Sequence, residues 1–501
     1  MKTRVCHELI SLFYSASLKN FAADLKNVEA VQRQRLSEIL QNLQGSSKWK
    51  ELAGHSYEEL TAIVPKSTYS DYSKEILQQK KSGENILSNH IVRYEPTSGS
   101  TEQRKWIPYS KNFLSEINKA AAVWLGDIYK TFPKVKEGTH YWSLSWLPHE
   151  LRAQTSSDDA ELFPFYQRWI LQNTMSVSSK IAHLENSEAA WWATLVSLAA
   201  DEKLCLVSVW SPTFWLKVVK DLKEQWSDIA EALHEGTWKR HATEIEKTLG
   251  LAPQRKNLPA KDDINFFEKL WPKLILISAW DSSSSQLWAK EICDLFPKIS
   301  FQGKGLWATE GVLTVPFRGK KILTTNAHFY EFRDLKTEEI LPAWRLQEGR
   351  VYQPILWTSS GLLRYQLQDR VKVTGFLEGT PCFEFMGRLQ STDLVGEKMD
   401  AGWVQELFSR NPHWRGICLV ACRRPQPHYV LVHESSEMID IEMELAKLHH
   451  YKVAREIGQL KEAQSLGVQD VFQFLEKVGR SGVLGQNKIE VLLEKDSLLE
   501  S

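Results

Sequence analysis

Residues 91–110 read IVRYEPTSGSTEQRKWIPYS. The strand-like HIVRYE ending at Glu95 runs into Thr97-Ser98-Gly99-Ser100-Thr101, four hydroxyl side chains around one glycine, with Arg104 and Lys105 close behind. From Lys111, KNFLSEINKAAAVWLGDIY repeats its apolar residues at helical intervals. A strand, a polar glycine turn and a helix in that order describe an α/β unit with a ligand at the strand's carboxyl end. On its residues alone the turn has two readings: a solvated loop, or a cradle for a group with many negative oxygens. Gly99 lets the backbone approach a ligand, the hydroxyls donate hydrogen bonds, and Lys105 adds a mobile cation. The Walker pattern G-x-x-x-x-G-K-[ST] is absent.

Working outward, residues 1 to about 85 are helical in pattern, with Ser56 and Glu59 at capping-box spacing. Downstream, KLCLVSVW (203–210), KLILISAW (273–280), GVLTVPF (311–317) and KKILTTNAHFYEF (320–332) are short apolar or β-branched runs, the first two separated by long helical stretches. Such runs predict a buried, largely parallel sheet. After PCFEFMGR the texture changes to one hairpin, GICLVACRR with HYVLVHESS, and two charged helical segments. The expected fold is α/β: a large N-terminal domain, residues 1–388, with mostly parallel sheets, and a small C-terminal α+β cap domain, residues 389–501.

Lysine plus arginine, 62, balances aspartate plus glutamate, 62, so no net field favours nucleic acid or an anionic membrane and any anion site is local. No apolar run approaches the about 20 residues of a membrane span. The six cysteines show neither zinc-site spacing nor a disulfide framework, which points to the cytoplasm. The N-terminus reads as an amphipathic helix rather than a signal peptide. Twenty tryptophans supply core volume or the wall of a pocket for a flat ligand.

The segment EPTSGSTEQRKWIPYS resembles the phosphate loop of the acyl-adenylate-forming superfamily, T-S-G-[ST]-T-G-x-x-K, and in particular that of the acyl acid amido synthetases of the auxin-responsive-promoter family. Further fragments follow in order: KGLWATEG (304–311), GLLRYQLQD (361–369), FMGR (385–388), VGEK (395–398) and GQNKIE (485–490), with AHFYEF (327–332) between the first two. The resemblance spans nearly the whole chain.

It implies a carbon–nitrogen ligase that uses ATP and Mg²⁺. A carboxylic acid would be converted to acyl-AMP, and an amine, typically of an amino acid, would then take the acyl group. Thr97, Ser98, Gly99, Ser100, Thr101 and Lys105 would hold the β- and γ-phosphates. Thr309 would lie near the α-phosphate, Glu310 would help hold Mg²⁺, and Asp369 would accept hydrogen bonds from the ribose. Lys488 would swing in on the small domain to stabilise charge at the α-phosphate. Arg388, in the nucleotide-binding set, would also begin the hinge, which runs to Gln390. Removing one such contact costs about 10²–10³ in rate.

The residues leave rivals for these roles: Asp369 has Arg364 and Arg370 as nearby partners, and Glu310 could cap a turn. The sequence also departs from the pattern. Glu102 stands where the superfamily has glycine, Leu306 where it has an adenine-facing tyrosine (Trp307 adjoins), Gln366 and Gln368 replace arginine and glycine, and Glu490 replaces proline. These keep two alternatives in view: a non-catalytic nucleotide- or acid-binding protein of this fold, and acyl transfer to coenzyme A. Trp146, Phe165, Trp210 and Trp280 are candidates for the acid pocket or for the core. His328 is either a base for the amine step or a packed strand histidine.

Overall fold

The computed structural model describes residues 2–96, 105–143 and 173–389, and beyond these 391–392, 394–395, 397, 399–456, 458–469, 471, 474 and 490–495. Thr97–Thr101, Glu102, Arg104, Trp146, Phe165 and Lys488 lie outside the described residues.

Helices Lys2–Asp24, Val28–Asn42, Tyr57–Ile63 and Tyr69–Ser82 form the N-terminal region as the periodicity predicts. Ser56 and Glu59 close the capping box in both directions. The opening segment is richer than a strand–turn–helix. Strands Ile91–Pro96 and Trp106–Ser110 pair antiparallel and bracket residues 97–105, so a second strand precedes the helix Lys111–Thr131. Ser110 ends that strand and caps the helix, its hydroxyl accepting from Phe113 N at 3.1 Å.

The α/β reading holds, and the all-parallel pairing it expected is found in one sheet of the large N-terminal region. Strands Thr139–Trp142, Leu204–Ser208, Leu276–Ala279 and Ser300–Gly303 lie side by side in that order, all parallel. Helices Ser187–Ala200, Pro212–Glu224 and Gln286–Leu295 bury their apolar faces in the same core. The later runs, expected to join a mostly parallel arrangement, instead enter an eight-stranded antiparallel sheet. Its order is Ile340–Pro342, Phe329–Asp334, Val351–Trp357, Asp369–Leu377, Thr380–Arg388, Lys320–Leu323 and Thr314–Phe317, with Tyr365–Gln366 beside Val351–Trp357. The reason is connection length. Phe317 pairs with Lys320 across Arg318-Gly319, and Leu377 pairs with Thr380 across Glu378-Gly379. All four linking residues have positive φ. Two-residue turns of that kind reverse the chain, whereas a parallel crossover needs a dozen residues or more.

At the C-terminal end, Gly416–Cys422 and His428–His433 form the expected hairpin, flanked by parallel edge strands Gln464–Gly467 and Leu492–Lys495. The last of these lies beyond the two charged helical segments, where the sequence reading placed no strand. Cys418, Val420 and Cys422 share a core with the parallel sheet's helices, while Leu419 and Ala421 face a separate core with Tyr429, Ile441 and Leu445. Cys6, Cys205, Cys382 and Cys418 are buried thiols outside any disulfide. Among the described residues, no helix is long and apolar enough to cross a membrane.

Candidate functional site

The antiparallel sheet sets Asp369 directly opposite Arg388, at the first and last positions of neighbouring strands. Arg388 Nε lies 3.6 Å from Asp369 Oδ1, and its Nη1 donates to Glu490 Oε1 at 3.3 Å. Burial opposes the charge on Arg388, but Asp369, Glu490 and Glu310 together hold its pKa above the ordinary arginine value. The other two arginines near Asp369 are used elsewhere. Arg370 lies 3.5 Å from Asp400, and Arg364 clasps Glu331.

Glu310 follows the short strand Trp307–Ala308 and accepts the Tyr365 hydroxyl at 3.2 Å. Burial first, and the Glu310 carboxylate second, push the Tyr365 pKa upward, which keeps the phenol a proton donor to that carboxylate. Tyr365 is bridged to Ser67, and Tyr69 also acts on its phenol. Tyr69 in turn accepts Trp106 N at 2.9 Å and has the Lys105 ammonium 5.7 Å from its ring centroid. The Tyr109 hydroxyl donates to Thr309 O at 3.0 Å. The structure thus places Thr309 and Glu310 with Tyr109 and Tyr365, Lys105 over Tyr69, and Asp369 against Arg388, with the Glu310 carboxylate acting electrostatically on Arg388. The strands bracketing residues 97–105 open onto this group.

Sequence reasoning missed Tyr69, Tyr109 and Tyr365 as connectors. Tyr365 was inside GLLRYQLQD, but only the sheet reveals that its hydroxyl reaches Glu310. Glu490, marked as a departure from the family pattern, gains a partner in Arg388. Gln368 is exposed, and the backbone N of Gln366 bonds Ser67 O at 2.9 Å.

A cleft extends from Arg388, Gly387 and Glu490 past Leu306, Trp307, Trp280 and Ser211. Trp280 is therefore a wall residue, while Trp210 packs behind it, 5.8 Å from the rings of both Trp280 and Trp307. His328 is fully buried: its Nε2 accepts Val312 N at 3.1 Å, leaving Nδ1 to donate to Glu116 at 2.8 Å. With both nitrogens engaged, it is the packed histidine of the two readings. Among the described residues, no cluster of three potential metal ligands occurs. Glu310 offers a single carboxylate, which suits Mg²⁺ because that ion takes most of its ligands from phosphates and water.

Residues 17–301 match the model described as GH3 family N-terminal domain, and residues 321–388 match GH3 family central domain. GH3.10 of Oryza sativa subsp. japonica, provisionally named an indole-3-acetic acid-amido synthetase, is 22% identical over 422 residues, 77% of this chain and 83% of that protein. The indole-3-acetic acid-amido synthetase GH3.15 of Arabidopsis thaliana is 21% identical over 296 residues, 52% of this chain and 47% of that protein. The solved structure of AtGH3.15 acyl acid amido synthetase in complex with 2,4-DB superposes with a TM-score of 0.78 at 18% identity, covering 97% of this chain and 95% of that one. At that identity the superposition speaks for the fold.

Proposed function

The chain belongs to the GH3 family, and on that premise we propose that it is an acyl acid amido synthetase, joining a carboxylic acid to an amine in two steps at one cleft. ATP and the acid are substrates of the first step. A carboxylate oxygen attacks the α-phosphorus, the bond to the β-phosphate breaks, and acyl-AMP and pyrophosphate form. The amino group of an amino acid then attacks the acyl carbon. AMP leaves, a proton is lost, and the product is an amide.

What supports this reading is the electrostatic action of Glu310 on Arg388, which itself pairs with Asp369, together with the Tyr365 hydroxyl bonded to Glu310 and the Lys105 ammonium over the Tyr69 ring. Phosphoryl chemistry asks the protein mainly for positioned donors and cations around the phosphates. Thr97, Ser98, Gly99, Ser100, Thr101 and Lys105 cradle the β- and γ-phosphates. Thr309 and Lys488 face the α-phosphate, Asp369 takes the ribose hydroxyls, and Arg388 orients Asp369 from the strand opposite. Tyr365 occupies only one oxygen of Glu310, which fits a Mg²⁺ ion held there. Such an ion would neutralise phosphate charge.

Residues 389–501 serve as a cap turning about Arg388–Gln390, so that one cleft excludes water from the first step and admits an amine in the second. Glu490, two residues beyond Lys488, touches Arg388 and supports this arrangement. The scattered cysteine spacing, with no disulfide framework in the sequence, supports a cytoplasmic setting.

Acid-dependent exchange of labelled pyrophosphate into ATP tests the first step. Exchange with members of a carboxylic acid panel is expected, and Lys105→Ala should slow it by about 10²–10³. Nucleotide binding without exchange for any acid would overturn the reading. Adding amino acids to acid-supported reactions should then release AMP and amide.

A further inference from the structure

The four parallel strands deliver their last residues to one edge. Trp142 lies opposite Ser208, Ser208 opposite Ser278, and Ser278 opposite Gln302. Trp210, Trp280 and Lys304 follow on the next turns of chain. Ligands of parallel sheets sit outside the carboxyl ends of the strands, and here that edge faces the cleft.

Lys304 lines the cleft yet is only 5% exposed. Its ammonium donates to Ser208 Oγ at 2.7 Å and stands 4.2 Å from the ring centroid of Trp124, 4.5 Å from Trp210 and 5.8 Å from Trp142. Among the described residues no carboxylate forms an ion pair with it. Asp281, the acid beside Gly303, is engaged by Lys321. Lys304 shares no partner with the Arg388, Asp369 and Glu310 group. Its backbone is fixed as well. A Cβ on Gly305 would fall 1.8 Å from Thr314 O, and one on Gly303 would fall 1.8 Å from Asp281 Oδ2.

A buried ammonium has three hydrogens to place and a large desolvation cost to offset. One hydroxyl and three indole faces offset part of it. What is lacking among the described residues is an anion. Beside it, the half-buried faces of Trp280 and Trp307 leave space for a flat molecule.

We propose that Lys304 determines acid specificity: it receives an anionic group of the substrate remote from the carboxyl that is activated, so that the cleft prefers flat acids carrying a second acidic substituent. This rests on the adenylation reading above and adds the substrate class. The activated carboxyl belongs with the phosphates, beside Glu310 and Arg388; the second acid belongs with Lys304.

The test uses the full chain and two pairs of acids matched in shape: terephthalate with para-toluate, and biphenyl dicarboxylate with its singly charged methyl counterpart. Binding is read from tryptophan fluorescence, and activation from pyrophosphate exchange. The wild type should bind a diacid better than its monoacid partner by about tenfold or more. Lys304→Met should weaken the diacid by about tenfold to a hundredfold and leave the monoacid within about twofold, the range expected for one charge-assisted contact. Lys304→Arg should retain part of the preference. If the methionine variant does not fold, Lys304→Gln is carried through the same pairs. Equal weakening of both acids, no diacid preference in the wild type, or binding of neither acid would overturn the inference. Exchange with monoacids but no diacid preference would overturn it while the adenylation reading stands. Lys304-dependent diacid binding with no exchange from any acid would uphold it and remove that reading.

Discussion

Arg364 in the antiparallel sheet and Lys304 at the edge of the parallel one are both buried cations, yet their surroundings are opposite. Arg364 meets the Glu331 carboxylate with Nε at 3.0 Å and Nη2 at 3.1 Å, and its Nη1 bonds the carbonyls of Thr61 and Val64. Glu331 also accepts the Trp357 indole at 2.7 Å and the Tyr57 hydroxyl at 3.0 Å. Every strong group there is satisfied within the protein, so the pair fixes the sheet to the N-terminal helices and has no capacity left for a ligand. Lys304 has a hydroxyl and aromatic faces but no counter-ion among the described residues. The same physical problem is closed in one region and left open in the other, and the open one borders the cleft.

The largest effect that would break this contrast is at the closed pair. Glu331→Ala strands a guanidinium, and breaking a buried pair in this way costs about 3–5 kcal/mol. Urea unfolding measures it; a loss below about 1 kcal/mol would mean that Arg364 is no better satisfied than Lys304.

The open side predicts the reverse sign. Burial lowers the Lys304 pKa well below its ordinary 10.5. Between the folded value and 10.5 the unfolded chain holds more protons, so stability rises with pH there and is lost as pH falls through the folded value. Lys304→Met should erase that slope and melt a few degrees higher than the wild type at neutral pH. A lower melting temperature at neutral pH, with the wild-type slope intact, would mean that the lysine is compensated after all.

The smallest effect lies away from both. Ser56→Ala opens a capping box on a short exposed helix and should cost about 1 kcal/mol. It serves as the scale for a change that touches neither cation.

The residues proposed for the nucleotide were legible because chemistry of that kind is written in short local fragments: Thr309-Glu310 and Asp369 each sit in a compact run, and the runs occur in order. It did not carry the Arg364–Glu331 pair, although both letters stood in quoted fragments, because a contact between strands depends on register that no single fragment contains. Lys304 was equally visible as the first letter of KGLWATEG. Its burial follows from four strand ends, between Trp142 and Gly303, converging on one edge. The antiparallel sheet had a local signal that the apolar runs obscured, the Arg318-Gly319 dipeptide, whose backbone can only turn back. The hinge expectation drew on a change of texture and on the family resemblance at FMGR and VGEK. The strand Thr380–Arg388 does end at that point, and the hairpin beyond it rests one face on the large unit's core.

The glycines on either side of Lys304 have an evolutionary consequence. Thr314's backbone carbonyl bars a side chain at Gly305, and one at Gly303 would have to displace the Asp281 carboxylate that Lys321 holds, so the tripeptide is a constrained mount with one exchangeable part. A descendant of this chain could change which acids it accepts through a single codon, with no compensating shift in the main chain. Drift at the two flanking codons would cost the fold before it altered the diet.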